Sequence, residues 1–142
     1  MNYVVDASVA AKWFVREILQ AEALRLLDHA SRLLAPDWII QEIAHVAFKK
    51  WRDREIGQNH AKAMVQILPS LMTQLYPSAG LTDRALDIAF ALNHPVYDCL
   101  YIVCADIADG VLITADEKLC KAVQDTEFAP LVRYLGDPGF SA

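Results

Sequence analysis

Val111-Leu112-Ile113-Thr114 decides the reading of this chain: a short, continuously apolar and β-branched run, entered through Asp109-Gly110 and left through Ala115-Asp116. A run of that length bounded by a turn signal is the pattern of a strand covered on both faces. Tyr3-Val4-Val5 repeats the pattern near the N-terminus and stops at Asp6. Helix-favouring residues follow both runs, Ala7 to Phe14 after the first and Ala115 to Gln124 after the second. A strand that delivers an acid into the start of a helix therefore occurs twice.

Outward from these two units, Leu33-Leu34-Ala35 reads as extended before Pro36, Leu71 to Tyr76 as a further extended piece closed by Pro77 and Gly80, and Val132 to Leu135 as a last short strand. Helical spacing covers Ala21 to Ala30 and then Trp38 to Arg54, where Ile39, Ile40, Ile43, Val46 and Ala47 share a side. Asp37 is placed to N-cap that second helix, and Gly57 marks its end. Ala61 to Leu68 continues as helix until Pro69. Thr82 or Asp83 caps a helix from Arg84 to Leu92, and the break at Asn93-His94-Pro95 precedes one from Tyr97 to Ala108. Asp137-Pro138-Gly139 breaks structure near the end. Strands alternating with helices imply βαβ units with right-handed crossovers. The expectation is an α/β, three-layer fold with a short, central, mainly parallel sheet flanked by helices, in one domain over residues 1–142.

The composition, 55% hydrophobic and 22% charged, is that of a globular protein. A formal charge of -5 argues against a protein that coats nucleic acid by bulk positive charge, so any such contact is local. Lys49, Lys50, Arg52, Arg54, Lys118 and Lys121 form basic runs that suit either a solvated helix face or RNA. Cys99, Cys104 and Cys120 are odd in number and lack paired spacing, which argues for inert core thiols rather than disulfides or a zinc knuckle. No signal peptide or membrane span is read, and the expected compartment is the cytoplasm.

Open α/β sheets bind ligands beyond the carboxyl ends of their strands, where Asp6 and Asp116 fall. Each also has a purely local reading as a helix cap or an early-helix carboxylate. Glu42 lies at the margin of the apolar face of Ile39, Ile43 and Val46, so it is either partly buried and in need of a cation, metal or proton, or a surface glutamate. Asp98 stands in a first helical turn between Tyr97 and Leu100. Four carboxylates brought together repel by about 4 kcal/mol per close pair at an effective dielectric near 20. A hard divalent cation removes that conflict, and an all-oxygen set points to Mg²⁺ or Mn²⁺. Such an ion suits phosphodiester hydrolysis.

Val4-Val5-Asp6-Ala7-Ser8, Pro36 with Glu42 on the next helix, Tyr97-Asp98-Cys99-Leu100-Tyr101 and Leu112-Ile113-Thr114-Ala115-Asp116 resemble, in order and spacing, the four motifs of PIN-domain nucleases. The length and short N-terminal lead are most similar to the VapC-like toxins of toxin-antitoxin pairs. The resemblance implies a metal-dependent ribonuclease using Mg²⁺ (or Mn²⁺), with Asp6, Glu42, Asp98 and Asp116 as catalytic metal-site residues. It places Ser8 and Thr114 around them, where a capping or turn role competes. It further implies an RNA substrate, a homodimer and a VapB-like antitoxin. Trp13, Phe14, Trp38, Phe48 and Trp51 are aromatic enough to fill a core or line a partner groove. Lys12 and Arg16 read first as exposed helix charges, with the scissile backbone as their functional alternative.

Two other enzymes compete. Arg54 and His60 have a spacing reminiscent of HEPN ribonucleases, which are helical bundles, and Asp6 suits a haloacid dehalogenase except that Ser8 replaces the second acid. A PIN-fold interaction module without activity is the non-enzymatic alternative. His29, His45 and His94 form no metal-binding spacing and are assigned to surface or helix positions.

Overall fold

The first apolar run forms β1 (Asn2–Val5), and its neighbours in space are the two other apolar runs, β2 (Arg32–Pro36) and β4 (Val111–Thr114). The computed structural model describes residues 1–28 and 31–138. Beyond β2 lies β3 (Gln74–Tyr76) and beyond β4 lies β5 (Val132–Tyr134), giving the order β3-β2-β1-β4-β5 with every pairing parallel. The chain builds outward from β1 through β2 to β3, then returns to the other side of β1. That reversal opens a crevice between the carboxyl ends of β1 and β4.

Val4, Val5, Leu34, Leu112 and Ile113 are fully buried because helices cover both faces. The central cover is α6 (Val96–Ile107), which contacts β1, β2 and β4. Cys99 to Ala105 are buried all the way around it, the pattern of a helix enclosed by protein. The other helices are α1 (Ala7–Ala10), continued as a 3₁₀ turn through Trp13, α2 (Gln20–Asp28), α3 (Ile39–Arg52), α4 (Gln58–Leu71), α5 (Thr82–Leu92) and α7 (Glu117–Val123). Among the described residues no single helix is long and apolar enough to cross a membrane.

Several boundaries differ from the sequence reading for identifiable reasons. Asp37 does not cap α3: Trp38 holds the cap position without a side-chain bond, and the Asp37 carboxylate instead accepts from the Ser78 amide at 3.0 Å. That long-range bond ties the end of β2 to the turn after β3. Pro69 does not end its helix, because α4 runs on to Leu71 with the proline confined to the last turn. Gly57 lies ahead of α4 as its cap rather than closing α3, and Leu81 rather than Thr82 or Asp83 precedes α5. Leu71 to Tyr76 shortens to a three-residue strand. Ala30, His29 and Gly139 lie outside the described residues.

Gly110 has a specific steric reason. A Cβ there would fall on the Asn2 carbonyl oxygen, and Asn2 Nδ2 closes the same corner by donating to Ala108 O at 2.8 Å.

Candidate active site

The β1–β4 register pairs Val5 with Ile113, and one step further along both strands sets Asp6 beside Thr114. Thr114 Oγ1 donates to Asp6 Oδ2, while Ser8 Oγ donates to Oδ1 at 2.5 Å and the Val9 amide to the same oxygen at 3.2 Å. The direction of the hydroxyl bonds is fixed by their other partners. Ser8 Oγ accepts from the Ala115 amide at 2.9 Å, and Thr114 Oγ1 accepts from the Asp116 amide at 3.0 Å. An amide can only donate, so each hydroxyl has its single proton free for Asp6. Asp6 is 5% exposed, and burial pushes its carboxyl up to about 6 against the lowering effect of these donors; the Asp98 charge adds to the rise.

Asp6 thus caps α1 and lies in the crevice at once, so its local and functional readings do not exclude each other. Asp116 does the same at α7, where its Oδ1 accepts from the Lys118 amide at 2.9 Å and the Leu119 amide at 3.4 Å.

Glu42, half-buried in the first turn of α3, is held by a hydrogen bond from the hydroxyl of Tyr101, which is 1% exposed. Burial pushes Glu42 up to about 7; the Tyr101 bond opposes the shift, and the charges of Asp6 and Asp98 reinforce it. Asp98 in the first turn of α6 is raised by burial, opposed by His94, whose Nε2 lies 2.7 Å from Asp98 Oδ2, and raised further by Asp116. Each of the four acids therefore exchanges charge effects with at least one other.

His94, read as a surface or helix position, is partly buried and hydrogen-bonded to Asp98. Lys12 is not the exposed helix charge expected of it: it is 9% exposed, with its ammonium 3.3 Å from Glu17, which also holds Lys50 at 3.0 Å. Arg16 remains exposed. Tyr101 is a site-bordering residue that sequence reasoning quoted only as part of a motif; its position three residues after Asp98, one turn along the same helix, was the available signal.

Among the described residues no group of three or more His, Cys, Asp or Glu side chains is arranged to hold a metal ion. The donor chemistry nevertheless fits a hard divalent ion: the acids are carboxylate oxygens only, Asp6 buried and the other three partly buried, and a bound cation would offset both desolvation and the repulsion among them. Cys99 and Cys104 on α6 are buried, with thiols pushed by burial up to about 11 and about 12, so neither is a soft ligand at neutral pH. Cys120 is only partly buried, unlike the core position expected of it.

The HEPN alternative fails on the parallel sheet. Its two residues are structural: Arg54 takes a positive φ of 62° in the α3–α4 turn, and the His60 ring bonds the Phe14 carbonyl at 2.7 Å.

Residues 3–124 match the PIN domain, and the chain belongs to that family. Its relatives include Ribonuclease VapC1 of Mycobacterium tuberculosis, 31% identical over 121 residues that cover 84% of this chain and 89% of the relative. Ribonuclease VapC3 of Pyrobaculum aerophilum is 29% identical over 123 residues, covering 85% and 94%. Among solved structures, PAE2754 from Pyrobaculum aerophilum superposes with a TM-score of 0.67 at 22% identity, covering 95% of this chain and 84% of that one. A chain of VapBC2 from Rickettsia felis, bound to a DNA fragment from its promoter, has a TM-score of 0.64 at 11% identity, covering 94% and 98%. These likenesses establish the same fold.

Proposed function

We propose that this chain is a metal-dependent endoribonuclease and the toxin of a toxin-antitoxin pair, with Asp6, Glu42, Asp98 and Asp116 as its metal-binding catalytic residues. The observation that carries the reading is the chain of charge effects that links Glu42 with Asp6 and Asp98, and Asp98 with Asp116, where Asp6 and Asp116 follow the carboxyl ends of β1 and β4 in a PIN-domain sheet. The names of the relatives, ribonucleases of the VapC group, support the substrate class.

Mg²⁺ (or Mn²⁺), when bound, supplies charge neutralisation at the scissile phosphate and a lowered pKa for the attacking water. The chain's own residues set the geometry. Ser8 and Thr114 hold both oxygens of Asp6, His94 holds Asp98, and two α7 amides hold Asp116. Glu42, held by the Tyr101 hydroxyl, would bind the ion directly or through a water, or orient the attacking water.

A VapB-like antitoxin is the proposed partner, in keeping with the VapBC assemblies among the fold neighbours. The apolar groove between α3 and α4, lined by Ala47, Phe48, Trp51 and Val65, is a surface such a partner suits. Trp13, by contrast, is core, its indole N–H bonded to Ala23 O at 2.9 Å. A homodimer acting on RNA in the cytoplasm, each protomer one domain over residues 1–142, completes the reading.

The test is cleavage of total cellular RNA by the purified chain with Mg²⁺ or Mn²⁺, compared with EDTA and with Asp6→Asn. Cleavage lost in both controls is the expected result. Cleavage that survives both removes the four-acid mechanism, and none from the folded, metal-supplied, antitoxin-free chain favours an inactive interaction module.

A further inference from the structure

The site borders an aromatic pair that the four acids do not use. Tyr97 precedes Asp98 at the start of α6, and Trp38 stands at the cap of α3, four residues before Glu42. Their rings stack with centroids 4.9 Å apart and planes within 12°. Trp38 is the inner member. Its backbone amide donates to Ser78 Oγ at 2.9 Å, and its indole N–H is buried with no hydrogen-bond partner among the described residues. The indole is thus held by its ring contacts rather than by its polar atom. Tyr97 is the outer member and is 53% exposed, an unusual position for a ring at the mouth of a buried acidic site.

The charge distribution makes this pair significant. The chain carries a formal charge of -5, and four of its acids face any phosphate that approaches the crevice. The main basic run lies at the far end of α3: Lys49, Lys50 and Arg52 are seven to ten residues beyond Glu42, roughly 10–15 Å away along the helix. Lys50 is occupied by Glu17 and Glu55, and Lys12 by Glu17. An RNA strand at the acids has the exposed Lys118 and Lys121 of α7, just after Asp116, for its phosphates, and one exposed ring backed by another for a base. Bases in single-stranded RNA stack on such rings, by about 1–3 kcal/mol per base and with little regard to sequence.

We infer that Tyr97, braced by Trp38, is a stacking platform for an unpaired nucleobase beside the scissile phosphate of single-stranded RNA. The inference rests on the ribonuclease reading above and adds to it a subsite and a requirement that the bound base be unstacked from its own strand. Trp38 keeps the ring flat against the protein, so little rotamer freedom is lost when a base arrives.

The test measures binding of a fluorescent single-stranded RNA decamer pool, and of the same decamer built from abasic nucleotides, in EDTA so that cleavage does not intervene. Wild-type, Tyr97→Phe and Tyr97→Ala chains are compared at several salt concentrations. Tyr97→Ala is expected to raise Kd for the base-bearing decamer about tenfold, within the range stacking supplies, whereas Tyr97→Phe stays within about twofold because the ring is kept. The salt slope stays unchanged, since no phosphate contact is lost, and the abasic decamer does not distinguish the three proteins. Equal binding of base-bearing RNA by wild type and Tyr97→Ala overturns the platform while cleavage of total RNA by the wild type leaves the ribonuclease reading standing. Equal binding accompanied by a change in sedimentation mass assigns Tyr97 to a contact between two copies of the chain and also overturns the platform. A wild-type chain that neither binds nor cleaves RNA overturns both.

Discussion

Replacing Asp6 by Asn should make the metal-free protein more stable at alkaline pH even as it removes the proposed activity. Burial raises the Asp6 carboxyl from 3.8 to about 6, so between those values the folded chain binds a proton that the unfolded chain has released. Stability then falls as pH rises through that window, and above about pH 6 the full penalty applies. At about 1.4 kcal/mol per tenfold change in proton affinity, the penalty is about 3 kcal/mol at pH 8 and roughly half that at pH 5. Asn carries no such charge. It does put an N–H donor where one acceptor oxygen stood; the facing hydroxyl keeps a second lone pair for it but loses the acceptor of its own proton, a loss of about 1 kcal/mol. The net gain is about 2 kcal/mol at pH 8, a rise in Tm of roughly 6 °C for a chain of this size. Thermal unfolding in EDTA at pH 5 and pH 8 reads it directly, with the mutant's advantage shrinking in acid. An Asp6→Asn chain equal to or less stable than wild type at pH 8, or an advantage that grows on acidification, refutes the reasoning.

Other outcomes follow from the same geometry. Millimolar Mg²⁺ should stabilise the wild-type chain at pH 8 by about 1.4 kcal/mol at tenfold excess over Kd, read as a rise in Tm, and leave Asp6→Asn nearly unmoved. Tyr101→Phe deletes the one hydroxyl that lowers Glu42, so the Glu42 carboxyl should titrate above its present value of about 7 in the metal-free chain, as followed by ¹³C NMR of the side-chain carboxyl. His94→Ala frees Asp98 to rotate and should weaken Mn²⁺ binding about tenfold or more, measured by calorimetry, without a comparable loss of Tm. Gly110→Ala forces the Asn2 carbonyl at the start of β1 to move and should cost about 2 kcal/mol or more of stability, read by urea unfolding.

The strands that place the site were legible because each was a local signal. Tyr3-Val4-Val5 and Val111 to Thr114 are apolar without alternation, which only a doubly covered strand tolerates, and the acids after them fall at strand ends by simple counting. The mainly parallel sheet that the pattern implied is wholly parallel across its five strands. What escaped was decided across the fold. Asp37 had a good local capping signal, overridden by the Ser78 amide 41 residues away. Lys12 looked like a helix charge until the loop after it brought Glu17 and Lys50 together. The Tyr101 bond to Glu42 spans 59 residues, and no spacing rule connects positions on α6 and α3. His94 was nearer to being readable, four residues before Asp98, but searching for metal-binding histidines looked past a histidine whose partner is a carboxylate.

The chemistry of the cut ends tests the central claim most directly. A short RNA cleaved by the purified chain in Mn²⁺ should yield ends formed by water attack, a 5′-phosphate on one fragment and a 3′-hydroxyl on the other, and no product should form with Asp6→Asn or EDTA. A 2′,3′-cyclic phosphate paired with a 5′-hydroxyl, formed equally well in EDTA, would show that the ribose hydroxyl is the nucleophile and that the four carboxylates do not hold the catalytic ion.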